Sequence, residues 1–478
     1  MPTTNLTRKG LVLKRWEPVQ AALATTTAGT CSTISNHIKQ KLLHIGSNTT
    51  AWLYTPEEDG FVPLASPALA GTFGAGVAST AGSWSIGSAT GAASLTATGG
   101  TVSTIITNQT LAVDLRGFKV HILAGPNAGV TLDIVSNTIG TNATITVATQ
   151  ASAFSSSTVY RLCTPVWYVV GAGTTASGTF RKYDYATNTW VTLSQTNLPA
   201  TIGNDSTLTA TPSFLETDYK AFATGTATAG GASTLTRGTA NWTTNQWTNY
   251  QIRIVSGTGA GQIRTIASNT ATVITVGTAW TTQPSTDSIY SIEGNDDFIY
   301  YMGNAAVGLI RYSISANTWT TLSPTAARAA APSTGMSGIW VSDVTDADWT
   351  SENAIINGRR IYSFRGGASA VLDYYDIALN TWVSGVTYSP NAETFTTGTK
   401  YAYYGNCIYI QKDATLRWYR FNLPTSEVDG WTTINNVTGT AIVGNTAYIY
   451  RYKDGATVIP YVYFIINSST LHERQMVI

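Results

Sequence analysis

The chain consists of short runs in which apolar and polar residues alternate, separated by segments rich in Gly, Ser, Thr and Asn. Residues 251–255 (Gln-Ile-Arg-Ile-Val) and 272–276 (Thr-Val-Ile-Thr-Val) are two such runs. A period of two places every second side chain on the same face of a β-strand, and the intervening residue types favour tight turns. The pattern therefore predicts an all-β protein built from many short strands.

One hairpin pattern recurs along the chain. In three copies a Tyr leads, an Asn-Thr pair follows, and a Trp stands seven positions after the Tyr: Tyr183 and Trp190, Tyr312 and Trp319, and Tyr375 and Trp382. Two looser copies have either Phe in place of Trp or a longer turn: Tyr54 and Phe61, and Tyr419 and Trp431. We interpret each copy as the outer hairpin of a β-propeller blade, because repeated four-stranded units are the building blocks of that architecture.

The strands between these hairpins predict five complete blades and a sixth that lacks its outer strand. The strands of the sixth are expected at 438–443, 446–452 and 460–467. Residues 11–19, which contain Trp16, form a spare strand that can complete this blade and remove two unpaired sheet edges. The sequence thus predicts six blades closed by the N-terminal strand. The alternative is a divergent seventh blade within 65–80 or 335–360.

Two segments interrupt the repeat and resemble each other. Each contains a Gly-rich turn followed by an Asn, and the corresponding residues lie 132 positions apart: Gly125, Gly129 and Asn137 in the first, and Gly257, Gly261 and Asn269 in the second. We predict a duplicated small β-module, inserted at 83–164 and again at 218–295. The propeller then comprises residues 1–82, 165–217 and 296–478. An acidic segment at 343–352 occupies the equivalent connection of the next blade.

The hairpin pattern resembles the kelch repeat of β-propellers. A Gly-rich strand end precedes the Tyr and Trp, as at residues 171–173 and 366–367, and Trp382 lies 49 residues before Trp431, close to the kelch period. The resemblance implies a kelch-like propeller in which the repeated Tyr and Trp have structural roles and carry no activity.

The insert resembles small β-modules of tailed-bacteriophage virion proteins, through the Gly-rich sequence Tyr-Gln-Ile-Arg-Ile-Val-Ser-Gly-Thr-Gly-Ala-Gly-Gln-Ile-Arg at residues 250–264. This resemblance implies a structural component of a phage particle, in the capsid decoration, neck, tail or baseplate. The partners it implies are other virion proteins, bound through the modules, with many copies of the chain in a symmetric assembly.

Composition and charge narrow the possible partners and location. Charged residues make up 11% of the chain and the formal net charge is +1, so a general attraction to nucleic acid or to anionic membranes is not expected. The N-terminal residues lack the apolar core of a signal peptide, and no apolar run approaches the ~20 residues of a membrane span. We expect synthesis in the host cytoplasm, location in the virion and no membrane insertion.

Candidate chemistry is sparse. Four His residues do not supply the ligand set of a copper oxidase: His37, His44, His121 and His472. The turn that begins at Gly257 has no following Lys and is followed by strand alternation, so it is not a phosphate loop. The acidic residues of 343–352 do not have the spacing of an EF-hand. We therefore predict no catalytic, metal or cofactor site, and a protein that is not an enzyme.

Three functions are compatible with these features. The first is a non-enzymatic scaffold for protein–protein interactions in a virion. The second is a host-recognition adhesin, in which exposed Tyr and Trp stack on the sugar rings of a surface glycan. The third is a propeller enzyme, which requires a cluster of polar groups on the propeller axis.

Overall fold

We analysed a computed structural model of the chain. The residues that the structure describes are 17–21, 31–35, 40–47, 49–55, 60–69, 77–82, 94–171, 179–199, 202–203, 205–210, 222–303, 306–340, 360–367, 369–386, 394–396, 399–404, 407–412, 417–423, 427–431, 447–454, 457–466 and 470–475. Within them every regular element is a β-strand. They include no helix with the length and hydropathy needed to cross a membrane.

Five four-stranded antiparallel sheets are blades whose strands follow one another in chain order. The first contains β2 (Cys31–Ile34), β3 (Leu42–Ile45), β4 (Ala51–Thr55) and β5 (Gly60–Pro63). The second contains β6 (Val77–Gly82), β14 (Val166–Gly171), β15 (Thr179–Asp184) and β16 (Thr189–Thr192). The third contains β17 (Thr207–Ala210), β25 (Phe298–Met302), β26 (Leu309–Ser313) and β27 (Thr318–Thr321). The fourth contains β28 (Ile339–Trp340), β29 (Arg360–Gly366), β30 (Ser369–Asp376) and β31 (Thr381–Val386). The fifth contains β32 (Lys400–Tyr404), β33 (Cys407–Lys412), β34 (Arg417–Asn422) and β35 (Glu427–Trp431).

A sixth four-stranded sheet joins the two ends of the chain. Its strands are β36 (Ala447–Asp454), β37 (Thr457–Ile466), β38 (Thr470–Gln475) and β1 (Glu17–Ala21), in that order. The expected strand at 438–443 and Trp16 lie outside the described residues. The third strand is β38, which was not predicted from the sequence. Its sequence Thr-Leu-His-Glu-Arg-Gln is largely polar, yet it pairs with a strand on each side.

The first strands of the six sheets contact one another in a ring. β2 contacts β6 and β36, β17 contacts β6 and β28, and β32 contacts β28 and β36. The arrangement is therefore all-β and propeller-like, with these strands innermost. Neither segment proposed for a seventh blade contributes a further sheet among the described residues: 77–80 belongs to β6, and 339–340 forms β28.

The recurring hairpin is held by a bond between its Tyr and its Asn. In the third sheet Tyr312 lies directly opposite Trp319, with the ring centroids 5.0 Å apart. Asn317 adopts a left-handed conformation (φ 51°), and its Oδ1 accepts a hydrogen bond of 2.6 Å from the Tyr312 hydroxyl. The equivalent Tyr–Asn bonds are 2.8 Å for Tyr183 and Asn188 and 2.7 Å for Tyr375 and Asn380. Asn tolerates this backbone region and can cap the turn with its side chain, which explains its place in the repeat.

The same hairpin also connects neighbouring sheets. The indole Nε1 of Trp319 donates to the carbonyl of Ser194, just beyond β16 of the preceding sheet (3.1 Å). Trp190 donates in the same way to Ala65, just beyond β5 (2.9 Å). In the fourth sheet the side-chain amide of Asn380 donates to the carbonyl of Ser323, beyond β27 (2.9 Å). Each hairpin therefore positions the chain that leaves the preceding sheet and enters its own.

Two of the repeat copies differ from the other three in detail. Tyr54 lies opposite Phe61, with ring centroids 4.7 Å apart, so the looser copy keeps the pairing of the clear ones. In the fifth sheet Trp431 lies opposite Trp418, and Tyr419 lies opposite Gly430. The longer turn shifts the register by one residue relative to the other copies, and a shift of one residue exchanges the two faces of a strand.

We predict that Asn317→Gly lowers the free energy of unfolding by about 1–3 kcal/mol, because the Tyr312 hydroxyl and the Ser194 N–H lose their half-buried acceptor while Gly retains the left-handed backbone. Urea denaturation followed by tryptophan fluorescence measures the change. The matched control is Asn142→Gly, an exposed left-handed Asn (φ 50°) in a turn. Equal effects of the two substitutions would contradict this role of the Asn side chain.

Candidate functional site: the paired modules

Two seven-stranded sheets interrupt the blades in the sequence, one between β6 and β14 of the second blade and one between β17 and β25 of the third. They have the same strand order. Module 1 consists of β7 (Leu95–Thr96), β8 (Gly99–Gly100), β9 (Thr104–Ile106), β10 (Lys119–Ala124), β11 (Thr131–Asn137), β12 (Thr144–Val147) and β13 (Val159–Cys163). Module 2 consists of β18 (Ala223–Thr226), β19 (Ala229–Gly231), β20 (Thr234–Thr236), β21 (Gln251–Ser256), β22 (Ile263–Asn269), β23 (Val273–Val276) and β24 (Ile289–Glu293). These strands fall within the segments 83–164 and 218–295.

Each module closes on itself. In module 1 the N–H of Ala97 donates to the carbonyl of Thr158, beside β13 at one edge of the sheet (2.9 Å). The N–H of the next residue, Thr98, donates to the carbonyl of Ile106 in β9, near the opposite edge (2.8 Å). In module 2 Ala227 and Thr228 make the equivalent bonds to Ser288 and Thr236. A closed sheet has no unpaired edge strand. A partner therefore contacts a module through side chains and turns, because there is no edge for it to extend.

The duplicated Asn residues have the same role in both modules. Asn137 accepts a hydrogen bond from the N–H of Leu115 (2.7 Å) and donates to the carbonyl of Val113 (3.1 Å). Asn269 makes the corresponding bonds to Trp247 and Thr243 (2.8 and 2.9 Å). Each Asn thus fixes a crossing segment onto the sheet.

The duplicated glycines occupy positions that exclude a side chain. Gly125 and Gly257 have φ of +83° and +79°, and a Cβ on either would collide with a backbone carbonyl, that of Ser157 or Asp287. Gly129 and Gly261 also have positive φ, and each lies against the other module. The sequence identified these turns, but it did not show that they meet.

Both modules emerge from the connection between the first and second strands of a sheet, β6 to β14 and β17 to β25. In a propeller these connections lie on the same side of the disc. Module 1 contacts the turn between β15 and β16 of the second blade, the blade into which it is inserted. The N–H of Ala112 donates to the carbonyl of Ala186 in this turn (2.9 Å), and Phe118 packs against Tyr185. The acidic segment 343–352 lies outside the described residues.

Module 2 contacts the next sheet. The side chain of Asn249 donates to the carbonyl of Ile377 in the turn of the fourth blade (3.3 Å). Phe222, at the entrance of module 2, packs edge-on against Trp340 of β28 (6.4 Å between ring centroids). The core of module 2 is thereby continuous with that of the fourth blade.

Charged groups at the base of the modules are paired. Arg161 of module 1 bonds Asp296, just after module 2 (3.1 Å), and both side chains are largely buried. Within module 2, Nε of Arg253 donates to Glu293 (2.8 Å). His121 lies nearby, completely buried, with Nδ1 2.8 Å from the Thr131 hydroxyl. Burial lowers the pKa of His121 to about 3, and repulsion from Arg253 and Arg161 adds to the shift, so this imidazole is neutral near pH 7.

The largest buried charge network in the described part of the disc joins strands of the fourth blade. Asp373 accepts hydrogen bonds from Arg328 (2.7 Å), from both Nε and Nη2 of Arg365 (2.8 and 2.9 Å) and from the N–H of Gly385 (3.0 Å). Near the start of β32, burial lowers the pKa of Lys400 to about 8; its Nζ lies 3.9 Å from Asp205. The described residues hold no group of three His, Cys, Asp or Glu arranged to bind a metal. The bonds of Asp373 join β30 to β29 and to the segment that contains Arg328, so they hold these parts of the chain together.

The repeat aromatics are part of the core. Tyr54, Tyr183, Tyr312, Tyr375 and Tyr419 are buried, as are Trp319 and Trp382, while Phe61 and Trp190 are half-buried. Burial raises the pKa of the hydroxyls of Tyr183, Tyr312 and Tyr375, so they remain protonated donors. Of the Phe, Trp and Tyr side chains whose burial the structure describes, none is exposed. Those residues offer no aromatic platform for a sugar ring.

Module 1 has exposed apolar side chains that sequence reasoning missed. We call four of them the module 1 apolar face: Val102, Ile106, Val135 and Ile139. Ile106 lies directly opposite Thr144 in the sheet. On the other side of Thr144, its carbonyl accepts a hydrogen bond from the N–H of Thr138, the residue before Ile139 (3.0 Å). The two Ile residues therefore flank Thr144. Val135 alternates with the buried Ile134 and points outward; Val135 and Ile139 are 52% and 66% exposed.

Module 2 has smaller or polar residues at the positions equivalent to the module 1 apolar face. They are Ala232, Thr236, Ala267 and Ala271. Comparing the two copies position by position is the sequence signal that could have identified this face. The duplicated framework is therefore shared, whereas these four positions carry large apolar side chains in module 1 alone. The exposed apolar side chain of module 2, Ile289 of β24 (43%), lies at a different position.

Comparison with known proteins shows no matching family model and no matching curated protein. Solved structures match over most of the chain but with low identity. A fucose-specific lectin from Aleuria aurantia is 9% identical with a TM-score of 0.42, covering 95% of this chain and 94% of that one. A second structure of that lectin, described as a six-bladed β-propeller, has a TM-score of 0.39 at 9% identity, with the same coverages. A chain of the Mitotic Checkpoint Complex is 8% identical with a TM-score of 0.37, covering 98% and 93%. Likeness at this level carries no argument about function.

The depressed pKa of His121 predicts a pH dependence. Below the usual pKa of 6.5 the unfolded chain takes up a proton that the folded module does not, so stability falls as the pH decreases from 6.5 toward 3. We expect His121→Gln to reduce this slope by about 1.4 kcal/mol per pH unit, measured by urea denaturation at pH 4 to 7. His44→Gln in the first blade is expected to reduce the slope in the same way between pH 6.5 and about 4, because burial lowers the pKa of His44 to about 4. An unchanged slope for His121→Gln would contradict the burial of a neutral imidazole.

Proposed function

We propose that the protein is a non-enzymatic scaffold that binds neighbouring proteins through the side of the disc that carries the modules. The observation that carries this proposal is the module 1 apolar face, with four apolar side chains exposed on a closed sheet. Ile106 and Ile139 flank one position of the sheet, and grouped exposed apolar side chains on a folded protein mark interaction sites. Module 2 has Ala or Thr at those positions, so module 1 is the copy suited to a partner.

The proposed setting is a tailed-phage virion, in the capsid decoration, neck, tail or baseplate. The duplicated Gly-rich modules and the low charge of 11% support it, together with the resemblance of the modules to those of phage virion proteins. The partners are other virion proteins, and the chain is present in many copies in a symmetric assembly. It is made in the host cytoplasm, and no cofactor is required.

A finer description of the fold belongs to the same proposal. The disc is a six-bladed, kelch-like propeller with two inserted β-domains, and the N-terminal strand completes the last blade. The ring of contacts among the first strands, the antiparallel pairing of β1 with β38 and the repeated Tyr–Asn–Trp hairpin support this description. Pairing β1 with β38 gives the last sheet four strands, the same number as each of the other five.

No specific observation favours glycan binding or catalysis as a second function. Glycan binding by stacking on aromatic rings needs exposed Tyr or Trp, and the repeat aromatics support the core instead. An enzyme needs nucleophilic or acid–base groups that converge, whereas the buried charges described at Asp373 and Glu293 are occupied by arginines.

The interaction proposal predicts that Val135→Arg combined with Ile139→Arg reduces incorporation into particles by about tenfold or more, since charges replace an apolar contact. Quantitative mass spectrometry of purified particles measures copy number. The control is Val62→Arg, an equally exposed apolar position on the outer strand of the first blade (55%). Equal incorporation of both variants would remove the module 1 apolar face from the proposal. Absence of the wild-type protein from particles would remove the virion itself.

The closure proposal predicts that deleting residues 1–21 lowers the melting temperature by several degrees and promotes association, because the edge of β38 loses its partner. A peptide of residues 11–21 added in trans is expected to restore part of the loss. Differential scanning calorimetry with light scattering measures both effects. Deletion of residues 1–10 alone is the control, and identical melting of the two deletions would contradict closure by the N-terminal strand.

A further inference from the structure

The Gly-rich turns of the two modules approach each other closely. A Cβ placed on Gly129 would lie 3.0 Å from the carbonyl oxygen of Val255, 3.1 Å from the backbone nitrogen of Gly261 and 3.2 Å from the Cβ of Ala260. These distances are at or inside ordinary van der Waals contact. The backbone of one turn therefore packs directly on the backbone of the other.

The contact is reciprocal. A Cβ on Gly261 would lie 2.6 Å from the carbonyl oxygen of Leu123, 2.8 Å from the nitrogen of Gly129 and 3.2 Å from the Cβ of Ala128. Each of these groups is the counterpart, 132 residues earlier, of one that meets Gly129. A surface that contacts its own equivalent in this way is isologous, which means that an approximate two-fold axis relates the two turns.

The groups near this axis agree with the same symmetry. Leu123 and Val255 are counterparts at the same spacing, and each lies near the end of the strand that precedes its turn, β10 or β21. Each also lies against the glycine of the other turn, so the axis passes between β10 and β21 at that end.

The disc does not impose this symmetry. Successive blades are related by rotation about the propeller axis, and two modules carried in the same way would make head-to-tail contacts. Instead module 1 contacts a turn of the second blade, which carries it, at Ala186. Module 2 is carried by the third blade but contacts a turn of the fourth, at Ile377. The two modules dock unequally on the disc, as expected if the contact between them sets their orientation.

We infer that the Gly-rich turn of each module is a self-complementary interaction surface, and that its occupant is the turn of the other module in the same chain. The contact fixes the two modules as one unit. The contact uses none of the four residues of the module 1 apolar face, so this inference does not depend on the proposed virion role. Gly129 and Gly261 are the positioning residues, because any side chain would separate the backbones.

The test introduces a large side chain into the turn of one module and measures hydrogen exchange in the turn of the other. Ala260→Arg leaves the glycine conformations of module 2 intact but inserts a long side chain against Gly129. Hydrogen exchange with mass spectrometry on the full chain is expected to show exchange about tenfold faster or more in residues 123–130 of module 1. The control is Ala267→Arg, on an exposed position of β22, which is expected to leave residues 123–130 unchanged.

The strands of module 2 report whether the variant folds, because retained protection of 251–256 and 263–269 shows an intact sheet. Unchanged exchange in 123–130 in such a folded variant would overturn the inference. Ala128→Arg is the reciprocal variant, read at residues 255–262, and serves if the first does not fold. The wild-type chain gives an independent measurement, since exchange at the rates of an open turn in both segments would also overturn it. None of these outcomes bears on particle incorporation, so failure of the turn contact is distinct from failure of the proposed function.

Discussion

The structure depends most on a hydrogen bond between a buried Tyr hydroxyl and an Asn in a left-handed turn. The bond fixes the turn, the turn sets the register, and the register brings a Trp opposite the Tyr in three of the blades. The same hairpin also forms hydrogen bonds with the chain that leaves the preceding sheet. One local motif therefore specifies both a blade and its contact with the blade before it. A slip by one residue would turn the Trp to the opposite face, so the register is strongly determined.

The modules show how a duplicated unit is used in two different ways. Their frameworks agree in strand order, in the sheet-closing bonds and in the Asn that fixes a crossing segment. Their surfaces differ, since module 2 has an aromatic contact with the fourth blade and module 1 has the exposed apolar face. Gene duplication supplies two equal units, but an isologous contact on a rotationally repeating disc gives them unequal neighbours. Divergence of the outer side chains follows from that inequality.

Most of the fold could be predicted from the sequence because its determinants are local. The Tyr183, Tyr312 and Tyr375 hairpins are recognisable by spacing alone, and the 132-residue offset identified corresponding turns of the two modules. The predictions were incomplete where pairing over long distances decides the outcome. β38 is polar and has no strand signature, and only the strands on either side of it make it a strand. The module 1 apolar face was missed for a related reason. The alternating pattern shows which residues are apolar, but it does not show which of them remain exposed to solvent.

The sheet that joins both ends of the chain has a consequence for synthesis. Ala21 pairs with Thr470, so almost the entire polypeptide lies between two residues that are neighbours in the folded state. The entropic cost of closing so long a loop grows only slowly with its length, so the final pairing is thermodynamically accessible. During translation, however, β1 leaves the ribosome before the strands of the other five sheets, and its partner β38 leaves after them. Those five sheets have their strands in chain order and can form as they emerge, whereas the sixth must wait for β38, which makes ring closure a late event in folding.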